Sequence, residues 1–123
     1  MANPNIVNVT SIYGNTSYLI PTGTSATTWT ALTPASGTVN KIDNIVAANV
    51  TSSTATITVS INSATGGGGT AYRLAYQISV PANASLIICD KSTAFYLGES
   101  QSIVATSSTS NAIELTASYE AIT

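Results

Sequence analysis

"TATITVSINSATGGGGTAYRLAYQISVP", Thr54 to Pro81, decides the fold. In its first part Ala55, Ile57, Val59 and Ile61 alternate with Thr54, Thr56, Thr58 and Ser60, the two-residue repeat of a strand with one buried and one wet face. After the glycines, Tyr72, Leu74, Tyr76, Ile78 and Val80 alternate with Ala71, Arg73, Ala75, Gln77 and Ser79, until Pro81 removes a ladder donor and ends the strand. Two alternating runs with a glycine-rich connection predict an antiparallel hairpin. A phosphate-binding loop would place a Lys-Ser/Thr pair after its glycines and open a helix, whereas Gly66 to Gly69 lead into Thr70-Ala71-Tyr72 and a strand. The tetraglycine therefore reads as a slack, exposed tip, tolerant of shortening or of serine in place of one glycine.

The same period continues on both sides of the hairpin. Near the C-terminus Ile113, Leu115, Ala117 and Tyr119 oppose Glu114, Thr116, Ser118 and Glu120, a half-buried strand. Shorter candidates are "NIVNVT", "YLI", "ATTWTAL", "KIDNIVAANV", "SLIIC", "AFYL" and "SIVATS", each bounded by Gly, Pro, Asn or Ser/Thr clusters. Within Val39 to Val50 the parity changes, because Ile45 opposes Ile42, Val46 and Val50; a bulge or burial on both faces would reconcile this. No apolar periodicity of helical length is present. The expectation is an all-β antiparallel sandwich, jelly-roll-like, forming a single domain over residues 1–123, with residues 1–10 an N-terminal arm or a first strand. Ile57, Val59, Leu74, Ile78, Ile113 and Leu115 are the expected core.

Composition excludes several kinds of function. Among 123 residues only eight side chains are charged and none is histidine, for a net charge of -2. Nucleic acid and anionic membranes attract clusters of Lys and Arg that this chain lacks, so neither is an expected partner. Ser and Thr supply 37 residues, and Ala, Val and Ile dominate the apolar ones, a composition suited to pleated sheet. Cys89 is the single cysteine and the start "MANPNIVNV" lacks the marks of a signal peptide, so the chain reads as made in a reducing cytoplasm.

The search for chemistry finds little. Ser-His-Asp and Cys-His catalysis need a histidine, and Cys89 ends the apolar run "LIIC", where a structural thiol belongs. The five carboxylates show no calcium-loop spacing, Asp90 in "CDKST" suits a turn, and Glu99, Glu114 and Glu120 are the candidates for a glycosidase pair. Glu114 and Glu120 read more simply as solvated charges on a strand. No catalytic residue, cofactor or metal ligand is assigned, and the chain is expected not to be an enzyme. Of the aromatic residues, Tyr72, Tyr76 and Tyr119 share parity with aliphatic positions, which leaves Trp29, in the polar setting "ATTWTAL", as the candidate to stack on a sugar.

Three stretches, "MANPNIVNVTSIYGNT", "ISVPANASLIICDKS" and "YLGESQSIVATSSTSNAIELTASYEAI", resemble short virion structural proteins of tailed phages that infect marine cyanobacteria. The likeness lies in the opening Asn3-Pro4-Asn5-Ile6-Val7-Asn8-Val9, in Val80-Pro81-Ala82 before an apolar strand, in Tyr96-Leu97 before an acidic turn, and in the closing Ser118-Tyr119-Glu120. The chain departs from that pattern in the order of "YLGESQS" and in the tetraglycine. The resemblance implies a non-enzymatic capsid decoration (cement) protein, located in the virion and made in the host bacterial cytoplasm. Its partners would be the major capsid protein or other virion proteins and further copies of itself, in a homo-oligomer that the resemblance makes a trimer. The alternative is a tail-fibre or neck-associated module that recognises host-surface glycans through Trp29 with exposed tyrosines. The uncharged segment Asn3, Pro4, Asn5, Ile6, Val7, Asn8 and Val9 either pairs within its own sheet or, as an unpaired apolar strand with a sticky edge, is the expected contact with a neighbouring subunit or the capsid.

Overall fold

The computed structural model describes residues 3–123. Nine strands run through them: β1 (Ile12–Leu19), β2 (Thr27–Thr28), β3 (Val39–Asn49), β4 (Ala55–Asn62), β5 (Ala71–Val80), β6 (Ser85–Cys89), β7 (Phe95–Leu97), β8 (Ser102–Ser107) and β9 (Ile113–Ile122). All pairings are antiparallel. One sheet has the order β1-β9-β3-β6, with β7 also on β3, and the other has the order β2-β8-β4-β5. Apart from the β4–β5 hairpin and the short step from β6 to β7, every connection passes from one sheet to the other. That crossing pattern, with two four-stranded paths, is the jelly roll. β6 and β7 pair with successive parts of β3 and act as one terminal strand interrupted by the 3-10 turn Lys91–Thr93.

The alternating runs form the two inner faces. Ile57 and Val59 of β4 face Ile113, Leu115 and Ala117 of β9 across a core that also holds Ile42, Ile45, Ala47, Ile103 and Leu97. The parity break in β3 is a bulge: its pairing with β9 shifts between Ile42 and Asn44, so Ile42 and Ile45, three apart, both turn inward. Asn44 Oδ1 accepts the Ser118 N–H at 3.1 Å beside the bulge. At the far end of β3, buried Asn49 donates to the Val80 and Ser53 carbonyls and accepts from Thr51 N–H and Oγ–H, which uses its whole hydrogen-bonding capacity.

Two expected core residues lie elsewhere. Leu74 is 36 % and Ile78 41 % exposed, although Ile57, Val59, Ile113 and Leu115 are buried as expected. β5 ends its sheet, and its pairing with β4 slips twice: Ile57 pairs with Ile78, Val59 with Ala75 and Ser60 with Arg73, so β5 carries two extra residues. Gln77 sits at one slip with φ 48°, and its N–H donates to Thr58 Oγ1 at 2.9 Å. The bulges twist the strand away from the core and leave its apolar side chains at the rim. "NIVNVT" is also not a strand; Asn5 closes a turn by accepting from Val7 N–H, and regular pairing begins at Ile12.

Candidate interaction surface

The described residues hold no group of three or more Cys, Asp or Glu placed to bind a metal ion. Glu114 and Glu120 are six residues apart along β9, about 20 Å by strand rise, whereas a glycosidase pair needs roughly 5–9.5 Å. Glu120 instead lies 3.9 Å from Lys41 across the β3–β9 ladder, and the Glu99 carboxylate accepts the Gly37 N–H at 2.7 Å. Asp90 caps the Lys91–Thr93 turn, accepting from Ser92 Oγ and Ser92 N–H, and those bonds hold its carboxyl below the usual range. Cys89 is buried beneath this turn with Sγ 3.5 Å from the Thr93 carbonyl, and burial is the main cause that pushes its thiol up from the ordinary 9.0.

Trp29 is not a sugar platform. It is 1 % exposed, packed in the core between β1 and β2, and its Nε1–H donates to Ser17 Oγ at 3.0 Å. The polar neighbours Thr27, Thr28 and Thr30 hid this in the sequence, since the partner that satisfies the indole lies on another strand.

The tetraglycine loop is neither slack nor a free tip. It folds back on the outer face of the β2-β8-β4-β5 sheet, where Gly67 N–H donates to Ser102 Oγ at 3.0 Å and Gly67 C=O accepts from Asn62 Nδ2 at 2.8 Å. Ser102 Oγ in turn donates to the Ala64 carbonyl at 2.7 Å. Ser60 and Val104, paired on that outer face, are buried, and Val104 lies directly under Gly67. A Cβ on Gly67 would stand 2.6 Å from Thr28 Oγ1, and one on Gly69 would collide with Ser63 Oγ; both residues have positive φ. Glycine is required here for close backbone approach as well as for turning.

The N-terminal segment makes a comparable cover on the other sheet. Asn3, Pro4 and Ile6 lie with Val39 and Tyr96 around a shallow recess of about 290 Å³, and Thr10 and Ser11 N–H donate to the Thr123 carbonyl. Val39 pairs with Ile122 on the outer side of its sheet, yet both are buried. Ile6 and Val7 remain exposed.

An apolar opening lies at the rim formed by β5 and β6. A groove of about 400 Å³ is lined by Leu74, Tyr76 and Ile78 of β5 and Leu86, Ile87 and Ile88 of β6. Arg73 is the one charged side chain at this rim, and its guanidinium lies 5.2 Å from the Tyr76 ring centre, a cation–π stack. The opposite rim, where β1 ends its sheet, exposes Ile12, Tyr13, Tyr18 and, just past the strand, Ile20. The sequence alternation puts these β5 residues on one side, but the slips break it: Ile78 pairs with buried Ile57 and Ala75 with buried Val59, so Leu74 and Tyr76, on either side of Ala75, do not share the face of Ile78.

No family model matches the chain, and no curated protein matches it. Among solved structures it is similar to the virus-like particle of the extra small virus of the giant freshwater prawn Macrobrachium rosenbergii, at 15 % identity and a TM-score of 0.39, over 98 % of this chain and 85 % of that one. An overlay so loose transfers neither a function nor a subunit arrangement.

Proposed function

We propose that the chain is a non-enzymatic structural subunit of a virus particle, a decoration protein seated on the outer surface of a capsid. The observation that carries this reading is a jelly roll that leaves large apolar side chains exposed at the edges of both sheets. Jelly rolls recur in capsid proteins, lectins and cupins. A cupin centre needs metal ligands, and the chain has no histidine. The lectin reading loses Trp29, buried beside Ser17, and would have to rest on the exposed tyrosines, which the glycan array below tests. The resemblance of the N-terminal, central and C-terminal stretches to phage virion proteins supports the same conclusion.

In this reading the segment Asn3 to Val9 is the capsid contact, with Ile6 and Val7 the apolar side chains it offers. The partner is the major capsid protein. The test is co-sedimentation of the purified chain with capsids lacking it, alongside a glycan array. Saturable binding to capsids with a blank array is expected; specific sugar binding without capsid binding would replace this reading with the fibre or neck module.

A further inference from the structure

Four strands end the two sheets: β1 and β6 in one, β2 and β5 in the other. An edge strand presents a row of unpaired N–H and C=O groups, which folds protect by shortening, bulging or charging it. β2 has two residues, β6 has five and stops at the Lys91–Thr93 turn, and β5 is broken by two slips and the left-handed Gln77. β1 has none of these protections: its eight residues pair with β9 without a slip and include no proline and no charged side chain. The direction of its free groups follows from the ladder. Ser11 and Thr123 exchange both backbone hydrogen bonds, Ser11 N–H to Thr123 C=O at 3.2 Å and Thr123 N–H to Ser11 C=O at 3.0 Å. Bonded and non-bonded pairs alternate in an antiparallel ladder, so Tyr13, Asn15, Ser17 and Leu19 turn their groups to β9. Ile12, Gly14, Thr16 and Tyr18 turn theirs to the open side, where no hydrogen bond from another described residue reaches them.

Large side chains flank this edge on both faces. Tyr13 has the parity of Ser17 and Leu19, which pair with buried Ala117 and Leu115, whereas Ile12 and Tyr18 have the opposite parity; all three are 52–74 % exposed. A flat partner would need one face, but an added strand alternates its own side chains between both. Charge specifies that strand further. β1 and β9 carry Glu114 and Glu120 and no base. Glu120 pairs with Gly14, and nothing lies within 4 Å of the place where a Gly14 side chain would begin, so the way from the edge to that carboxylate is open. Lys41, on the far side, stands 3.9 Å from Glu120 and leaves its side chain 36 % exposed. An added strand would lie about 9.6 Å from β9, within the joint reach of a Glu and a Lys or Arg side chain. We propose that β1 is a strand-addition site whose occupant is an extended segment of another protein, alternating in pattern and with a Lys or Arg opposite Gly14. A second copy is a poor donor. Two β1 edges together would set acidic flanks against each other, and the chain's own bases lie in β3, in β5 and in the turn after β6. On the particle reading, on which this last identification rests, the donor is the major capsid protein.

Thr16→Pro removes an N–H that points to the open side and no bond to β9, so the variant should keep the parent's circular dichroism and melting temperature. Asn15→Pro removes a bond to β9 and should melt well below both. A random twelve-residue peptide library is selected on the immobilised parent. Retained peptides should alternate apolar and polar residues around a Lys or Arg, and should bind at least about 10-fold more weakly to Thr16→Pro and to Glu120→Gln. No retained peptide, or peptides that bind parent and variants equally, overturns the proposal. Capsids lacking the chain then test the donor. Parent that binds them and Thr16→Pro that does not is the expected result, whereas equal binding by the two overturns the capsid protein as occupant. A parent that binds no capsid sinks the particle reading, and the peptides alone decide the edge. If Thr16→Pro loses its fold, Gly14→Pro, whose N–H points the same way, replaces it and is judged by the same outcomes.

Discussion

Gly67 shows how much one added carbon can reveal. Its φ of 78° strains any L side chain, and a Cβ would press on Thr28 Oγ1 and Val104. Gly67→Ala should therefore destabilise the protein by about 2–3 kcal/mol, lowering the melting temperature on the order of 10 °C. Gly68, at φ −81° with only ordinary contacts around its added Cβ, should accept alanine with a change under about 0.5 kcal/mol. Calorimetry on the two variants separates a loop clamped to β8 from a slack one, which would respond equally to both. Cys89 gives a pH-dependent counterpart. Its folded-state thiol is raised above 9.0, so both states keep the proton below that value; as pH rises through it the unfolded chain deprotonates first, and stability falls. Native labelling at pH 8 should be at least about 100-fold slower than in denaturant; equal rates would show that the turn leaves the thiol open. The buried thiol was legible in "LIIC", because an apolar strand end is a local signal. The roles of Trp29 and Gly67 were not, since each depends on a partner from another strand, Ser17 and Ser102.

At the scale of elements, strands that pair on both sides read clearly and edges did not. β4, β8 and β9 follow their alternation because neighbours on both sides hold the register, and the parity break in β3 announced its bulge. β5 shows the same alternation in sequence, but its two slips against β4 change which side chains share a face, and a sheet edge has no second neighbour to hold the register, so Leu74 and Ile78 were misassigned. The N-terminal segment failed for a related reason: Ile6, Val7 and Val9 have strand composition, but the Asn5 turn competes with strand and wins. Removing residues 1–9 should leave β1 paired with β9 and the fold intact, at a loss of about 1–2 kcal/mol from uncovering Val39 and Ile122. Thermal unfolding of the truncated chain and its binding to capsids check this together. Retained fold with lost binding is expected; unchanged binding would remove the segment from the capsid contact.

For the whole molecule, the topology sets which apolar surface is buried and which is left at the edges. The crossing connections bury one face of each sheet, the tetraglycine loop and the N-terminal segment cover part of each outer face, and much of what remains exposed and apolar lies at the edges, with Ile6, Val7, Val50 and Tyr96 exposed elsewhere. On the proposed reading such a molecule acts by burying surface against many identical neighbours, as a lattice component would. The sandwich was legible from the spacing of short alternating runs, whereas the rims appear only when the sheet order sets β5 beside β6 and β1 alone at the other side. The central claim is that the chain decorates a capsid, and the most direct measurement is its copy number per purified virion, by quantitative mass spectrometry against the major capsid protein. On the order of hundreds of copies is the predicted result, as a surface lattice requires; about a dozen or fewer would place the chain in a neck or fibre and contradict the account.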